Sequence, residues 1–167
     1  MSEKKTRGAG RTRNFACVVY ADSAPENWQS IISDLKIPVF ISPYHDRDVN
    51  ADGQPKKPHW HVQFYFDSVK TKEQVIQIIE TFGGVGCEVV NSARGYARYL
   101  CHLDNPEKAQ YKPAEVQAFG GLNYLEAIGT SADKAKSIRE MFAFIEENDV
   151  RYFSDFALSA DVPMASR

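Results

Sequence analysis

Apolar positions along the chain recur with two different periods, and the switches between them mark out elements. "NFACVVYA" (14–21) is rich in β-branched and aromatic residues and predicts a strand. "SAPENWQSIISDL" (23–35) predicts a helix, with Ser23 as cap, Pro25 in the first turn, and Trp28, Ile31, Ile32 and Leu35 as one stripe. "IPVFISPYH" (37–45) predicts a second strand and "DRDVNADGQPKKP" (46–58) a polar loop. "KKPHWHVQFYF" (56–66) alternates with a period of two. Trp60, Val62, Phe64 and Phe66 share one face, toward a core, and His59, His61, Gln63 and Tyr65 share the other, read as the polar face. "TKEQVIQIIETF" (71–82) predicts a helix with a Thr71/Gln74 capping box and a stripe of Val75, Ile78, Ile79 and Phe82. After the break at "GGVG", "CEVVN" (87–91) predicts a strand and "SARGYARYLCHL" (92–103) a helix whose apolar stripe is Tyr96, Leu100 and Leu103. "EVQAFG" (115–120) predicts a last strand. "NYLEAIG" and "ADKAKSIREMFAFIEENDV" predict helices, the second with Ile138, Met141, Phe142 and Ile145 on its apolar face.

The order β-α-β-β-α-β-α, then a strand and helices, is an α+β pattern. It predicts a central antiparallel sheet of about five strands backed by helices, with C-terminal helices beyond it. The division that follows is a flexible basic arm (1–13), a sheet domain (14–120) and a helical segment (121–167). No apolar run reaches the roughly 18 residues of a membrane span, and the first residues lack the apolar core of a signal peptide, so no membrane association is expected. The three cysteines, Cys17, Cys87 and Cys101, are odd in number and widely spaced, which suits a reducing cytoplasm better than a disulfide framework.

Charge changes this picture once it is divided. The chain totals −2. Residues 1–13 carry Lys4, Lys5, Arg7, Arg11 and Arg13 against Glu3, a net of +4, which leaves −6 for the remainder. A basic arm on an acidic body can contact phosphate locally, because placement of charge matters more than its sum. The same composition also describes a solvated tail.

Candidate chemistry lies in the connection between the second and third strands. An antiparallel hairpin brings His45 and Asp48 toward His59 and His61. Three imidazoles and a carboxylate form a nitrogen/oxygen site for a divalent cation such as Mn²⁺. Read one by one, the histidines are also ordinary hydrogen-bonded strand residues, and Asp46 and Asp48 are ordinary turn residues.

"SPYHDRD" (42–48), "KKPHWHVQFYF" (56–66) and "YARYLCHLDNPEKAQY" (96–111) occur in that order. Together they resemble the plasmid rolling-circle replication initiators, a branch of the HUH endonuclease superfamily, over roughly residues 13–120. The resemblance implies an arrangement of the HUH, ferredoxin-like (RRM-like) type. It implies an enzyme that nicks and rejoins single-stranded or hairpin origin DNA, topoisomerase-like, through a covalent 5′-phosphotyrosine. Carried over residue by residue, the metal ligands are His45, Asp48, His59 and His61, holding Mn²⁺ or Mg²⁺, and Asp46 matches no ligand position. The nucleophile maps to Tyr99. A geometric reading agrees: Tyr96 sits at the middle of the helix's apolar stripe and Tyr99 at its edge, beside Arg98 and His102.

DNA contacts are expected from Arg11, Arg13, Lys56, Lys57, Arg94 and Arg98, with His102 near the phosphate or the phenol, and Tyr44 and Tyr65 as stacking candidates. Host replication proteins are the other expected partners, and the chain ends soon after its last helix, which leaves ring assembly open. No G-x-x-x-x-G-K-[ST] loop occurs, so no ATP site is expected. Rival readings are a conjugative relaxase, which usually has three histidines and an N-terminal tyrosine, another mobile-element HUH nuclease, or a non-catalytic DNA-binding repressor on the same fold.

Overall fold

The computed structural model describes residues 11–129 and 131–148. Most of the expected basic arm and the last part of the expected helical segment lie outside these residues. Strand β1 (Thr12–Val19) is followed by α1 (Trp28–Asp34), β2 (Val39–Ile41), β3 (Trp60–Lys70), α2 (Lys72–Thr81), β4 (Val85–Val89), α3 (Ala93–Tyr99), β5 (Gln117–Phe119), α4 (Tyr124–Ile128) and α5 (Ser131–Glu147). The five strands form one sheet in the order β4-β1-β3-β2-β5, and every neighbouring pair is antiparallel. The α+β architecture expected from the pattern is the one observed.

Strand alternation sorts the side chains into two cores. Phe15, Val19, Val39, Ile41, Val62, Phe64 and Phe66 point to one face and pack under Trp28 and Ile32 of α1 and Val75, Ile79 and Phe82 of the α2 region. Phe40 points to the opposite face and meets Ala97, Leu100, Cys101, Tyr111 and Tyr124. The second face of β3, read from sequence as polar and half-exposed, is therefore roofed by α3 and α4. His59 and His61 keep only 7 % and 8 % of their surface, and Gln63 none. Gln63 donates there from Nε2 to the Ala93 carbonyl, 2.8 Å away at the start of α3, while its buried Oε1 has no hydrogen-bond partner.

Several boundaries move for local reasons. Strand β1 begins at Thr12, so Arg13 belongs to the sheet and not to an arm. Helix α1 starts at Trp28, not Ser23, because Ser23 and Ala24 turn back to donate to the Tyr20 carbonyl. The Thr71/Gln74 capping box of α2 is present with both reciprocal bonds. The first compact unit runs through Ile128, which brings α4 into it. Tyr124 donates from its hydroxyl to the Ala97 carbonyl at 2.7 Å and is 6 % exposed. The second unit contains α5, which bears exposed Ile138, Met141 and Phe142 and a Lys136–Glu140 ion pair. Among the described residues no helix is long and apolar enough to cross a membrane.

Candidate metal centre and nicking site

The expected hairpin between β2 and β3 forms, and it sets the site. His45 and His59 stand opposite each other and exchange both backbone hydrogen bonds, at 2.8 and 3.2 Å. The segment expected as a loop continues this ribbon. Val49 pairs with Pro55, Lys56 donates its N–H to the Asp48 carbonyl at 2.8 Å, and Gly53 turns the tip at φ +80°. Asp48 is thus fixed by backbone pairing and lies 7 % exposed, whereas Asp46 is exposed. One step along β3, the Ser42 hydroxyl accepts from the His61 N–H at 2.9 Å and donates to the Pro43 carbonyl at 2.7 Å.

Carbonyl groups decide the tautomers. His45 Nε2 lies 2.9 Å from the Leu100 carbonyl, which can only accept, so His45 carries its proton on Nε2 and a lone pair on Nδ1. His59 Nδ1 lies 2.8 Å from the Lys57 carbonyl, leaving the lone pair on Nε2. His102 Nδ1 lies 2.7 Å from the Ala109 carbonyl, again leaving Nε2 as the acceptor. Such carbonyl partners are the arrangement that orients ligating imidazoles.

The ring nitrogens and the Asp48 carboxylate converge. The ligand atoms of His45, His59 and His61 all lie within 4.8 Å of one another, and so do those of His45, Asp48 and His102. His59 Nε2 and His61 Nε2 are 3.1 Å apart, and His45 Nδ1 and Asp48 Oδ2 are 3.3 Å apart. Asp48 Oδ2 is also 3.8 Å from His102 Nε2. His45 Nδ1 and His102 Nε2 are buried without a hydrogen-bond donor. Acceptors held this close repel one another unless a cation or a proton lies between them, and separations of about 3.0–3.4 Å match neighbouring ligands around one ion with bonds of about 2.1 Å. The residues present fit a divalent metal.

Burial prepares the same state. It pushes the His45 imidazolium down to about 4 and that of His61 to about 2, with the neighbouring imidazoles adding to the effect, so both rings are neutral and ligating at pH 7.

The two tyrosines of α3 flank this cluster. The core stripe of the helix is Ala97, Leu100 and Cys101, not Tyr96, Leu100 and Leu103, which corrects the geometric argument from sequence. Both tyrosines stand partly exposed beside the stripe, with ring centroids 5.7 Å apart. The Tyr96 hydroxyl lies 3.4 Å from His61 Nδ1, and burial, aided by nearby Glu88, pushes its phenol well above the usual range. The Tyr99 ring sits 5.4 Å from His61 and 5.1 Å from His102, and the Lys108 ammonium stands 3.5 Å from its hydroxyl and 4.6 Å above its ring.

Two expected DNA contacts have other occupations. Arg98 makes a bidentate pair with Asp104, both bonds 2.7 Å, and donates to the Ile128 carbonyl, so it ties α3 to its neighbours. His102 is fully buried, not a surface histidine. It takes the left-handed position after α3, at φ +57°, where Leu103 N–H returns to the Arg98 carbonyl and His102 N–H to the Tyr99 carbonyl, a Schellman ending that turns its ring inward. Arg11, Arg13 and Arg94 are exposed, Lys56 is partly so, and Lys57 pairs with Asp22 at 2.7 Å beside the Tyr20 ring. Tyr44 is exposed and packs on Trp60 at 4.3 Å, whereas Tyr65 is half-buried, 5.4 Å from Phe40. Sequence reasoning gave Tyr111 no role, although it closes the third motif. Its ring stacks on His45, and its hydroxyl donates to Asp48 Oδ1 at 3.0 Å and accepts from the Arg47 N–H at 3.2 Å.

Residues 7–125 match the family described as plasmid replication protein, origin binding domain. The chain is 41 % identical over 148 residues to the replication protein RepB of Lactiplantibacillus plantarum, covering 88 % of this chain and 67 % of that protein. It is 32 % identical over 162 residues to a replication protein of Staphylococcus aureus, covering 95 % and 81 %, and 31 % identical to the replication protein RepB of Streptococcus agalactiae, covering 85 % and 80 %. The matched region takes in the whole sheet, the histidine cluster and both tyrosines of α3, and by this likeness the chain belongs to the plasmid replication initiator proteins, with an origin-binding domain.

Proposed function

We propose that this initiator is a metal-dependent enzyme of the HUH type that nicks and rejoins single-stranded origin DNA, with Tyr99 as nucleophile. The observation that carries the reading is the convergence of ring nitrogens of His45, His59 and His61, with the first and second rings oriented by backbone carbonyls, beside the Tyr99 ring. His45, Asp48, His59 and His61 would hold Mn²⁺ or Mg²⁺. The bound ion supplies positive charge against the oxygens of the scissile phosphate, which otherwise repel a nucleophile.

The remaining chemistry belongs to the chain. The Tyr99 phenol oxygen attacks phosphorus, a new O–P bond forms, and the bond to the 3′-oxygen breaks. The phenol loses its proton and the departing 3′-oxygen gains one. Lys108, 3.5 Å from the phenol oxygen, stabilises the phenolate as that proton leaves. A 5′-phosphotyrosine and a free 3′-hydroxyl result. The ester retains the bond energy, so a second 3′-hydroxyl can reverse the step and rejoin strands. The free 3′ end suits a replication initiator because a polymerase can extend it. Tyr96 is the poorer candidate, since burial pushes its phenol above the usual range and its hydroxyl is engaged by His61.

The test is incubation with single-stranded origin hairpins of the plasmids that encode related replication proteins, with Mn²⁺, followed by denaturing electrophoresis. A protein–DNA band that survives denaturation and needs metal is expected. Tight DNA binding with no such band under any divalent metal would favour a non-catalytic repressor.

A further inference from the structure

A trough of about 590 Å³ opens beside the histidine cluster on the same face of the sheet. Its lining includes His61, Tyr96 and Tyr99, so it is continuous with the proposed nicking site. Strand register gives its floor. Ala16 stands opposite both Glu88 and Gln63, and Val18 opposite both Val85 and His61. The trough therefore covers the next two strands outward from His61, about 9–10 Å at the usual strand spacing. A second depression of about 260 Å³ shares Val89, Val90 and Asn91 with it and ends at Arg11.

We propose that this trough seats the unpaired base of a nucleotide flanking the scissile phosphate, a base that carries an exocyclic amino group, while the backbone runs on toward Arg11. The inference rests on the reading of the chain as a single-strand nuclease. Volume and shape suit one nucleotide. The floor is small and apolar at Ala16 and Val18, and the Tyr96 ring forms a wall, a surface for the face of a base. The exposed carboxylate of Glu88 repels phosphate and accepts hydrogen bonds, which selects a base edge with an N–H₂ group over the backbone. Asn91 adds an amide at the junction of the two depressions, and Arg11 supplies the positive charge for a phosphate at the far end.

The test is selection of a randomised single-stranded DNA pool on the full chain without divalent metal, with sequencing of the retained strands. Wild type is compared with Glu88→Gln, Asn91→Ala, Val85→Trp and Arg11→Ala, each checked for an unchanged melting temperature, since all four side chains are exposed. Wild type should exclude thymine at one position. Glu88→Gln should relax or change that preference by a factor between about five and a hundred. Val85→Trp should fill the trough and weaken binding, and Arg11→Ala should weaken it on all sequences alike. Retained strands identical in profile and affinity for wild type, Glu88→Gln and Val85→Trp would overturn the inference. Covalent capture in Mn²⁺ is scored separately: a metal-dependent adduct with unaltered selection defeats the trough and spares the nuclease reading, whereas altered selection with no adduct does the reverse.

Discussion

Tyr111 lies flat on His45, with ring planes 3° apart and centroids at 4.1 Å, and its hydroxyl donates to Asp48 Oδ1 at 3.0 Å. One side chain thus holds two expected metal ligands in place. Groups in this position typically change metal affinity by about 10–100-fold. Tyr111→Phe keeps the stacking and loses the bond to Asp48, so Mn²⁺ affinity should fall by roughly tenfold with little change in fold. Isothermal titration of both proteins measures it, and equal affinities would remove Tyr111 from the site.

Asp48→Ala should weaken Mn²⁺ binding far more than Asp46→Ala. Asp48 is buried with Oδ2 against His45 Nδ1, whereas Asp46 is exposed and reaches Arg47 at 3.7 Å. Titration of the two variants side by side decides this, and comparable losses would speak against Asp48 as a ligand.

Trp60 faces the other way from His59 and His61 and packs, with rings tilted, between Trp28 at 5.3 Å and Tyr44 at 4.3 Å. Trp60→Ala should cost about 3 kcal/mol, at the low end of the range because the ring is partly exposed. His61→Ala should instead abolish metal-dependent cleavage while the protein still melts cooperatively. Chemical denaturation and cleavage, measured on both variants, should separate the two faces of one strand.

Stability of the metal-free protein should fall as pH drops below about 6.5. The His45 and His61 pKa values are depressed in the fold, to about 4 and about 2, relative to about 6.5 in the unfolded chain. Between these values the unfolded chain binds more protons. The stability that neutrality confers is therefore complete above about pH 6.5 and lost progressively below it, by up to about 1.4 kcal/mol per pH unit for each ring. Urea midpoints from pH 7 to 4.5 should show this slope, reduced in His45→Ala and His61→Ala. A flat profile would mean that the rings protonate equally in both states.

What could be read along the chain was what local chemistry determines. The Thr71/Gln74 box, the Val75–Ile79 stripe and the alternation around His59 and His61 each involve residues within a turn or two of one another. The pairing of His45 with His59 followed from a hairpin with a Gly/Pro-rich tip. The rest depends on contacts distant in sequence. Tyr111 reaches Asp48 across 63 positions, and the Leu100 carbonyl reaches His45 across 55. His102 turns inward only because α3 ends in a left-handed residue, a position that usually falls to glycine, so its helical phase pointed the wrong way. Tyr96 falls outside the core for a related reason: with α3 ending early, the buried stripe is Ala97, Leu100 and Cys101.

The central claim is that Tyr99 becomes bonded to DNA. Its most direct measurement is mass spectrometry of the peptide–oligonucleotide conjugate, recovered after Mn²⁺-dependent reaction with a single-stranded origin hairpin and proteolysis. The expected result is a phosphotyrosine linkage at Tyr99, no conjugate from Tyr99→Phe despite retained DNA and metal binding, and continued conjugate formation by Tyr96→Phe. A linkage at Tyr96, or a conjugate formed by Tyr99→Phe, would contradict it.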